Sequence, residues 1–269
     1  MLLPDCCGDV CIQYAAVPPQ LGGVTSCGVL WQAAEGRFLL SVPDTARFLV
    51  EDGSRITIDP APAPDEAEIR RFLRMTPLAA LLLQRGFLAF HAAAVAGPDG
   101  ALLIAGDSGA GKSTLLAALL QHGWQMLADD IGVVRLSENG MPMVYPLFPE
   151  TMLWPDALEK LQLVPNAAEK RCLATEDHVA AAPQPLKAIY RLAVHKDEPG
   201  MEQIKGTRLF SLLAALLYNS RIADALLERS AYLALNAAIS RHVVVRSIKR
   251  PRGQWCLDEL VTLVAGDGQ

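Results

Sequence analysis

The sequence predicts an α/β protein in two parts, a small β-rich N-terminal module over residues 1–63 and a larger α/β domain over 64–269. Three observations carry this. Residues 106–114 read Gly-Asp-Ser-Gly-Ala-Gly-Lys-Ser-Thr, between the apolar run Ala101–Ala105 and the Ala/Leu-rich segment Leu115–Gln121. A second apolar run, Phe90–Ala96, precedes the first and is separated from it by Pro98-Asp99-Gly100, a tight-turn signal. Residues 1–59 hold short strand-like runs broken by turn residues and end at Pro60-Ala61-Pro62-Ala63-Pro64, a stiff linker.

In the first part, Val29–Gln32 and Arg37–Leu40 flank an Ala-Glu-Gly turn, and Arg47–Glu51 and Arg55–Ile58 flank Asp52-Gly53. Both pairs read as hairpins. The roles open to this module are substrate docking, oligomerisation and structural cover. Glu66–Met75 then reads as an amphipathic helix. Thr76-Pro77 reads as an N-cap followed by proline at the first helical position, with the helix Leu78–Arg85 stopping at Gly86.

Phe90–Ala96 and Ala101–Ala105 read as the two arms of a hairpin. Trp124–Ala128 reads as a strand that stops at Asp129-Asp130. Ile131–Leu136 and Met141–Tyr145 flank Glu138-Asn139-Gly140 as a further hairpin, and Asp156–Leu163 is a short helix. Arg171–Pro185 is polar and Pro-bearing and reads as an irregular loop over the site. Ala188–His195 is a strand, Lys196–Gly200 a turn, Thr207–Tyr218 and Ile222–Ser240 helices, Val243–Ile248 a strand and Leu257–Val264 a closing helix.

The glycine segment matches G-x-x-x-x-G-K-[ST] in the strand, loop, helix context that gives this motif its meaning. Glycines let successive amides turn inward around an anion, and the positive end of the following helix adds to the attraction. The segment Gly106, Asp107, Ser108, Gly109, Ala110, Gly111, Lys112, Ser113 and Thr114 is therefore the candidate nucleotide-binding loop. Lys112 is placed to reach the outer phosphates and the Ser113 hydroxyl to ligate Mg²⁺. Two carboxylates at a strand end soon afterwards sit where a metal ligand and a proton acceptor are wanted. In antiparallel pairing, His91 at the start of the first arm falls beside the end of the second, close to the loop.

Taken together, His91-Ala-Ala-Ala-Val, the glycine loop and Leu127-Ala-Asp-Asp resemble the catalytic domain of the HPr kinase/phosphorylase family. More narrowly, the chain is similar to the shorter HPr-kinase-related proteins, some encoded beside lasso-peptide and other peptide-maturation genes. The resemblance is specific over about residues 88 to 160. It implies a mixed-sheet core related to that of phosphoenolpyruvate carboxykinase, with ATP and Mg²⁺ at the loop. It also implies transfer of the γ-phosphate to a serine hydroxyl of a peptide or protein, a lasso-peptide precursor among the candidates. By the same resemblance the first Asp is the proton acceptor and the His supports the site. The catalytic candidates are thus Asp129, Lys112 and His91, and the metal candidates Ser113, Asp130 and Glu150. The family's Gly-rich, Glu-containing segment is missing downstream. Its place is taken by Tyr145-Pro-Leu-Phe-Pro-Glu-Thr-Met-Leu-Trp-Pro-Asp, where Glu150 is the nearest acidic residue. That departure weighs against the reverse reaction and against HPr as acceptor. Two other readings stand beside this one, a small-molecule kinase and a nucleotide-binding regulator that transfers nothing.

Composition narrows the classes. Net charge is −5, and Arg246, Lys249, Arg250 and Arg252 form only a short basic cluster that reads as a solvated loop, so no nucleic-acid partner is expected. Apolar runs such as Leu78–Leu83 are far too short to cross a bilayer, and the N-terminus has no basic, then apolar, leader pattern. A cytoplasmic protein with its six cysteines as free thiols is expected, although Cys6, Cys7 and Cys11 cluster. Arg208 and Arg221 near helix starts are candidates for a further cation at the phosphates.

Overall fold

The computed structural model describes residues 8–148, 150–163, 171–174, 178–195, 200–251 and 256–266. The chain forms two compact units, Met1–Ala89 with Leu217–Ala234, and Phe90–Leu216 with Leu235–Gln269.

The first unit carries strands β1 (Cys11–Tyr14), β2 (Ser26–Cys27), β3 (Trp31–Ala34), β4 (Arg37–Val42), β5 (Ala46–Glu51) and β6 (Arg55–Pro60). Their order is β1-β6-β5-β4-β3-β2, with β1 parallel to β6 and the other pairs antiparallel. Both expected hairpins form, β3–β4 and β5–β6. Asp52 and Gly53 both take positive φ at the second turn (49° and 61°), the backbone that an Asp-Gly pair tolerates best. Phe38, Phe48, Val50, Ile56 and Ile58 are fully buried and form one apolar face. Helix α1 (Glu66–Leu73) starts at Asp65, whose Oδ1 accepts from the Ala67 amide at 2.8 Å. Helix α2 (Thr76–Gln84) packs on β4, β5 and β6. Thr76 is its first helical residue and not its cap. Met75 stands at the N-cap and no side chain bonds the first-turn amides. Because α2 covers this sheet through Leu78–Leu83, the compact unit runs on to Ala89, past the boundary expected at residue 63.

Strand β7 (Leu88–Phe90) ends one residue before His91, and β8 (Ala92–Gly97) begins one residue after it. The expected single strand over Phe90–Ala96 is thus broken at His91, whose amide donates to the Leu216 carbonyl at 2.7 Å rather than to a ladder partner. In the second unit β8 pairs antiparallel with β9 (Gly100–Gly106), and Ala92 faces Ala105. Helix α3 (Lys112–Gln121) follows the glycine loop. Strand β10 (Gln125–Ala128) returns beside β8. Next come the hairpin β11 (Gly132–Leu136) and β12 (Pro142–Tyr145), then β13 (Glu150–Leu153) and α4 (Pro155–Lys160). Arg171–Ala174, expected to be irregular, is strand β14 paired with β13, and β15 (Gln184–His195) already begins at Gln184. The turn expected at 196–200 lies outside the described residues except for Gly200, which opens β16 (Gly200–Gln203).

Helix α5 (Thr207–Leu216) precedes α6 (Ser220–Leu226), which belongs to the first unit, and α7 (Arg229–His242). The single helix expected over Ile222–Ser240 is two, because Leu227 takes an extended backbone (φ −92°, ψ 134°). Strand β17 (Val244–Pro251) and helix α8 (Leu257–Gly266) complete the fold.

The sheet of this second unit is mixed. β9, β15 and β17 run parallel side by side, and β8 and β10 continue antiparallel beyond β9. α3 and α8 pack together, and Leu115, Leu116 and Leu119 join Ile104, Tyr190, Ile248, Leu260 and Val261 in one core. A buried strand feeding a buried helix fixes the loop between them at both ends, which is what a binding loop needs.

Candidate functional site

Gly106 closes β9 at φ 149°, and a Cβ there would lie 2.7 Å from the Leu192 carbonyl oxygen of β15. Only glycine lets β15 pack that closely against the loop entry. Gly111, at φ 98°, is the N-cap of α3, and no side chain caps the helix. Among the described residues the amides of Gly109, Gly111, Lys112, Ser113 and Thr114 donate to no protein acceptor. Those amides and the positive end of a buried helix form an anion site.

Lys112 is 7% exposed. Its Nζ donates to the Gly106 and Asp107 carbonyls at 2.9 and 3.3 Å and lies 3.3 Å from His91 Nε2. Accepting from an ammonium requires a neutral ring with its proton on Nδ1. Burial pulls the Lys112 pKa down, and the carboxylates of Asp130, Asp129 and Asp107 pull it back up. An anion in the loop acts in the same upward direction.

Asp129 follows β10 and is held from four directions. Its Oδ1 accepts from Ser113 Oγ at 3.1 Å and from the Asp130 amide at 3.0 Å. Its Oδ2 accepts from Thr151 Oγ1 at 2.7 Å and more weakly from the Met152 amide at 3.5 Å. Burial, and then the neighbouring Asp130 charge, push its pKa up despite these donors. Asp130 has φ 66°, and the Ile131 amide closes a tight turn on the Asp129 carbonyl at 2.9 Å. A non-glycine residue in this conformation stores strain of order 1–3 kcal/mol, and such strain clusters at functional sites. The turn leaves the Asp130 side chain exposed, on the wall of a cavity of about 180 Å³. His91, Ser108–Thr114, Trp154, Arg250 and Cys256 also line that cavity.

The structure thus gathers His91, the loop 106–114, Lys112, Ser113, Asp129 and Asp130. Thr151 on β13 points to Asp129, and its neighbour Glu150 is not among the residues that line either cavity at the loop. Arg221 lies on α6 in the first unit. Arg208 pairs with Glu202 at 2.8 Å and borders a second cavity.

Two residues were not legible. Thr151 gave no signal, because its role depends on β13 reaching Asp129, 22 residues earlier in the chain. Arg250, expected in a solvated loop, is on β17 and donates through Nη1 to the Ala110 carbonyl at 3.1 Å. Arg252, Cys6 and Cys7 lie outside the described residues. Among the described residues no three His, Cys, Asp or Glu side chains converge as a metal cluster. The donor set that is present, a serine hydroxyl beside two carboxylates, fits Mg²⁺, which usually takes one or two carboxylates and completes its shell with water and substrate phosphate.

Thr151→Val is expected to cost about 1.5–3 kcal/mol of stability, the usual worth of a buried hydrogen bond to a charged group. Thr151→Ser should keep most of it. Chemical denaturation of the two variants checks this, and equal losses in both would assign the cost to packing.

No protein-family model matches the chain, and no curated protein matches it. Among solved structures it is similar to the Hpr(Ser) kinase/phosphatase from Coxiella burnetii, at 15% identity over 66% of this chain and 89% of that one, with a TM-score of 0.38. At this identity and superposition the likeness says nothing of activity or substrate. The chain's own geometry defines a mixed α/β protein with a glycine loop between a buried strand and a buried helix. No helix of the described residues is long and apolar enough to cross a membrane.

Proposed function

We propose that this chain is an ATP-dependent phosphotransferase that moves the γ-phosphate to a hydroxyl, with serine on a peptide or protein as the acceptor. The observation that carries the reading is the convergence of Lys112, His91, Ser113, Asp129, Asp130 and Arg250 around a loop whose first-turn amides are open. At about 180 Å³ the cavity is below the roughly 300–1,000 Å³ that encloses a whole ligand, and so suits the phosphate end of a nucleotide.

Phosphoryl transfer is mostly positioning and electrostatics. The loop amides and Lys112 hold the outer phosphates, and Arg250 offers a second cation from the other wall. Mg²⁺, when bound, would neutralise charge on the phosphates, with the Ser113 hydroxyl and the carboxylate behind it as its protein side. The geometry favours exchanging the two aspartate roles implied by the resemblance. Asp129 already accepts four hydrogen bonds and is tied to Ser113, which suits a residue that orients the metal-side hydroxyl. Asp130 faces the cavity and is free to take the acceptor's proton. His91 keeps the Lys112 ammonium in place.

The serine acceptor, including a lasso-peptide precursor, rests on the sequence resemblance alone. One observation favours a small-molecule acceptor instead, the second cavity of about 550 Å³ beside the loop. Incubation with Mg-ATP and with peptides from neighbouring genes should give a phosphate mass gain that disappears when the acceptor Ser is replaced by Ala. Labelling of a metabolite with no peptide labelled would establish the second reading, and ATP binding with no transfer to any acceptor would establish the regulator.

A further inference from the structure

The second cavity adjoins the glycine loop through Gly106, Asp107 and Ser108, and it belongs wholly to the second unit. The two share His91 and Ser108, so they meet at these residues. The walls of the larger cavity combine Asp107 from the loop, Arg191 from β15, and Thr207, Arg208 and Ser211 from α5. Its floor is apolar, from Ile204, Leu212 and Leu216. An apolar floor with a few convergent polar groups is the usual make-up of a small-molecule site.

The charges decide what enters. Among the described residues the side chain of Arg191, exposed on β15 between buried neighbours, makes no hydrogen bond or ion pair. Arg208 is held by Glu202, but that pair is solvent-exposed on both sides and so worth little. Both guanidiniums are available to a planar anion, which arginine grips with two parallel hydrogen bonds. Asp107, at the loop edge of the same cavity, repels an anion and favours a hydroxyl, so it orients a bifunctional ligand with its hydroxyl toward the loop.

We infer that this cavity receives the acceptor, and that the acceptor carries a carboxylate or phosphate group read by Arg191 and Arg208 while its hydroxyl lies beside His91. This rests on the reading of the loop as the phosphoryl-donor site. In the transfer itself the acceptor oxygen forms its bond to the γ-phosphorus as the bond to the β-phosphate oxygen breaks. ADP leaves, and the hydroxyl proton passes to a carboxylate of the Asp pair.

The test is calorimetry on the full chain saturated with a nonhydrolysable ATP analogue, which fills the loop so that added anions cannot bind there. The probes are glycerate and glycerol 3-phosphate against glycerol, and a tripeptide ending in serine as free acid against its amide. At least one anionic probe should bind, with its neutral counterpart weaker by about tenfold or more. Arg191→Gln and Arg208→Gln should each weaken it by about tenfold, the loss of one charge-assisted contact. Affinity for the ATP analogue should not change in either variant. Binding of the small acids alone identifies a free metabolite as the source, and binding of the peptide acid alone identifies a chain terminus. Failure of every anion to bind the loaded protein overturns the inference, as do neutral probes that bind equally well or arginine variants that bind like the parent. Failure of the parent chain to bind the ATP analogue at all overturns the donor site itself, a result separate from these.

Discussion

Lys112→Ala is expected to abolish phosphoryl transfer and to weaken ATP binding by about 2–4 kcal/mol, the typical cost of removing one enclosed charge-assisted contact to a phosphate. Lys112 is buried in the first turn of α3, and its ammonium is held by two loop carbonyls and His91. Deletion removes the cation and also the donor that keeps those carbonyls turned away from the anion. Lys112→Arg should not rescue transfer, because a guanidinium fork does not fit a pocket shaped for a compact ammonium. Isothermal titration with ATP and a transfer assay check both halves. Unchanged turnover in the alanine variant would remove the loop from the mechanism.

The second large effect is at the Asp pair. Asp130→Asn is expected to leave ATP binding intact and to lower transfer by about 10²–10⁴, the range that a positioned general base supplies. Asp129→Asn is expected to lose transfer as well, but with a different signature. Burial and the Asp130 charge hold the Asp129 pKa above its ordinary value, so the folded state binds that proton more tightly than the unfolded chain does. The sign follows from linkage. This group favours folding most below the unfolded value of 3.8, and that contribution is lost as pH rises through the raised folded value. Asp129→Asn removes this titration but leaves one accepting oxygen where two now serve four donors, so the Tm should fall along with activity. It should also flatten the acid side of the stability profile. A lower Tm with full activity would make Asp129 a purely structural residue. If Asp129→Asn kept ATP binding and Mg²⁺ dependence while Asp130→Asn retained full rate, the two roles would revert to the order that the resemblance implied.

Most of the candidate site is legible in the sequence because its signals are local. The loop is one contiguous segment, and its chemistry comes from glycine backbone freedom, a lysine and a hydroxyl within nine residues, 106–114. His91 was found by a second local rule, because a tight turn at Pro98-Asp99 forces the start of β8 beside the end of β9. The break at His91 was not legible, because the carbonyl that takes its amide belongs to Leu216, far along the chain.

The misses share one cause. Thr151 and Arg250 lie on β13 and β17, and each reaches the site only because segments distant along the chain meet there. Nothing in the residues near Arg250 distinguishes a charge on a buried strand from one in a solvated loop. Glu150, the metal candidate that the resemblance implies, lines neither cavity at the loop. The limits of the N-terminal unit followed the same rule. Linker composition suggested an end near residue 63, whereas packing of α2 on β4, β5 and β6 extends the unit to Ala89 and adds Leu217–Ala234.

By itself the sequence determined most of the elements and the anion loop. Turn residues, apolar periodicity and glycine φ preferences act over a few residues and need no partner. Only the tertiary structure decided which carboxylate of the pair stays open to the cavity, which arginines face the loop, and that a second cavity adjoins it. Those depend on the parallel alignment of β9, β15 and β17, and strand neighbours are chosen by burial across the whole sheet rather than by residues near in sequence.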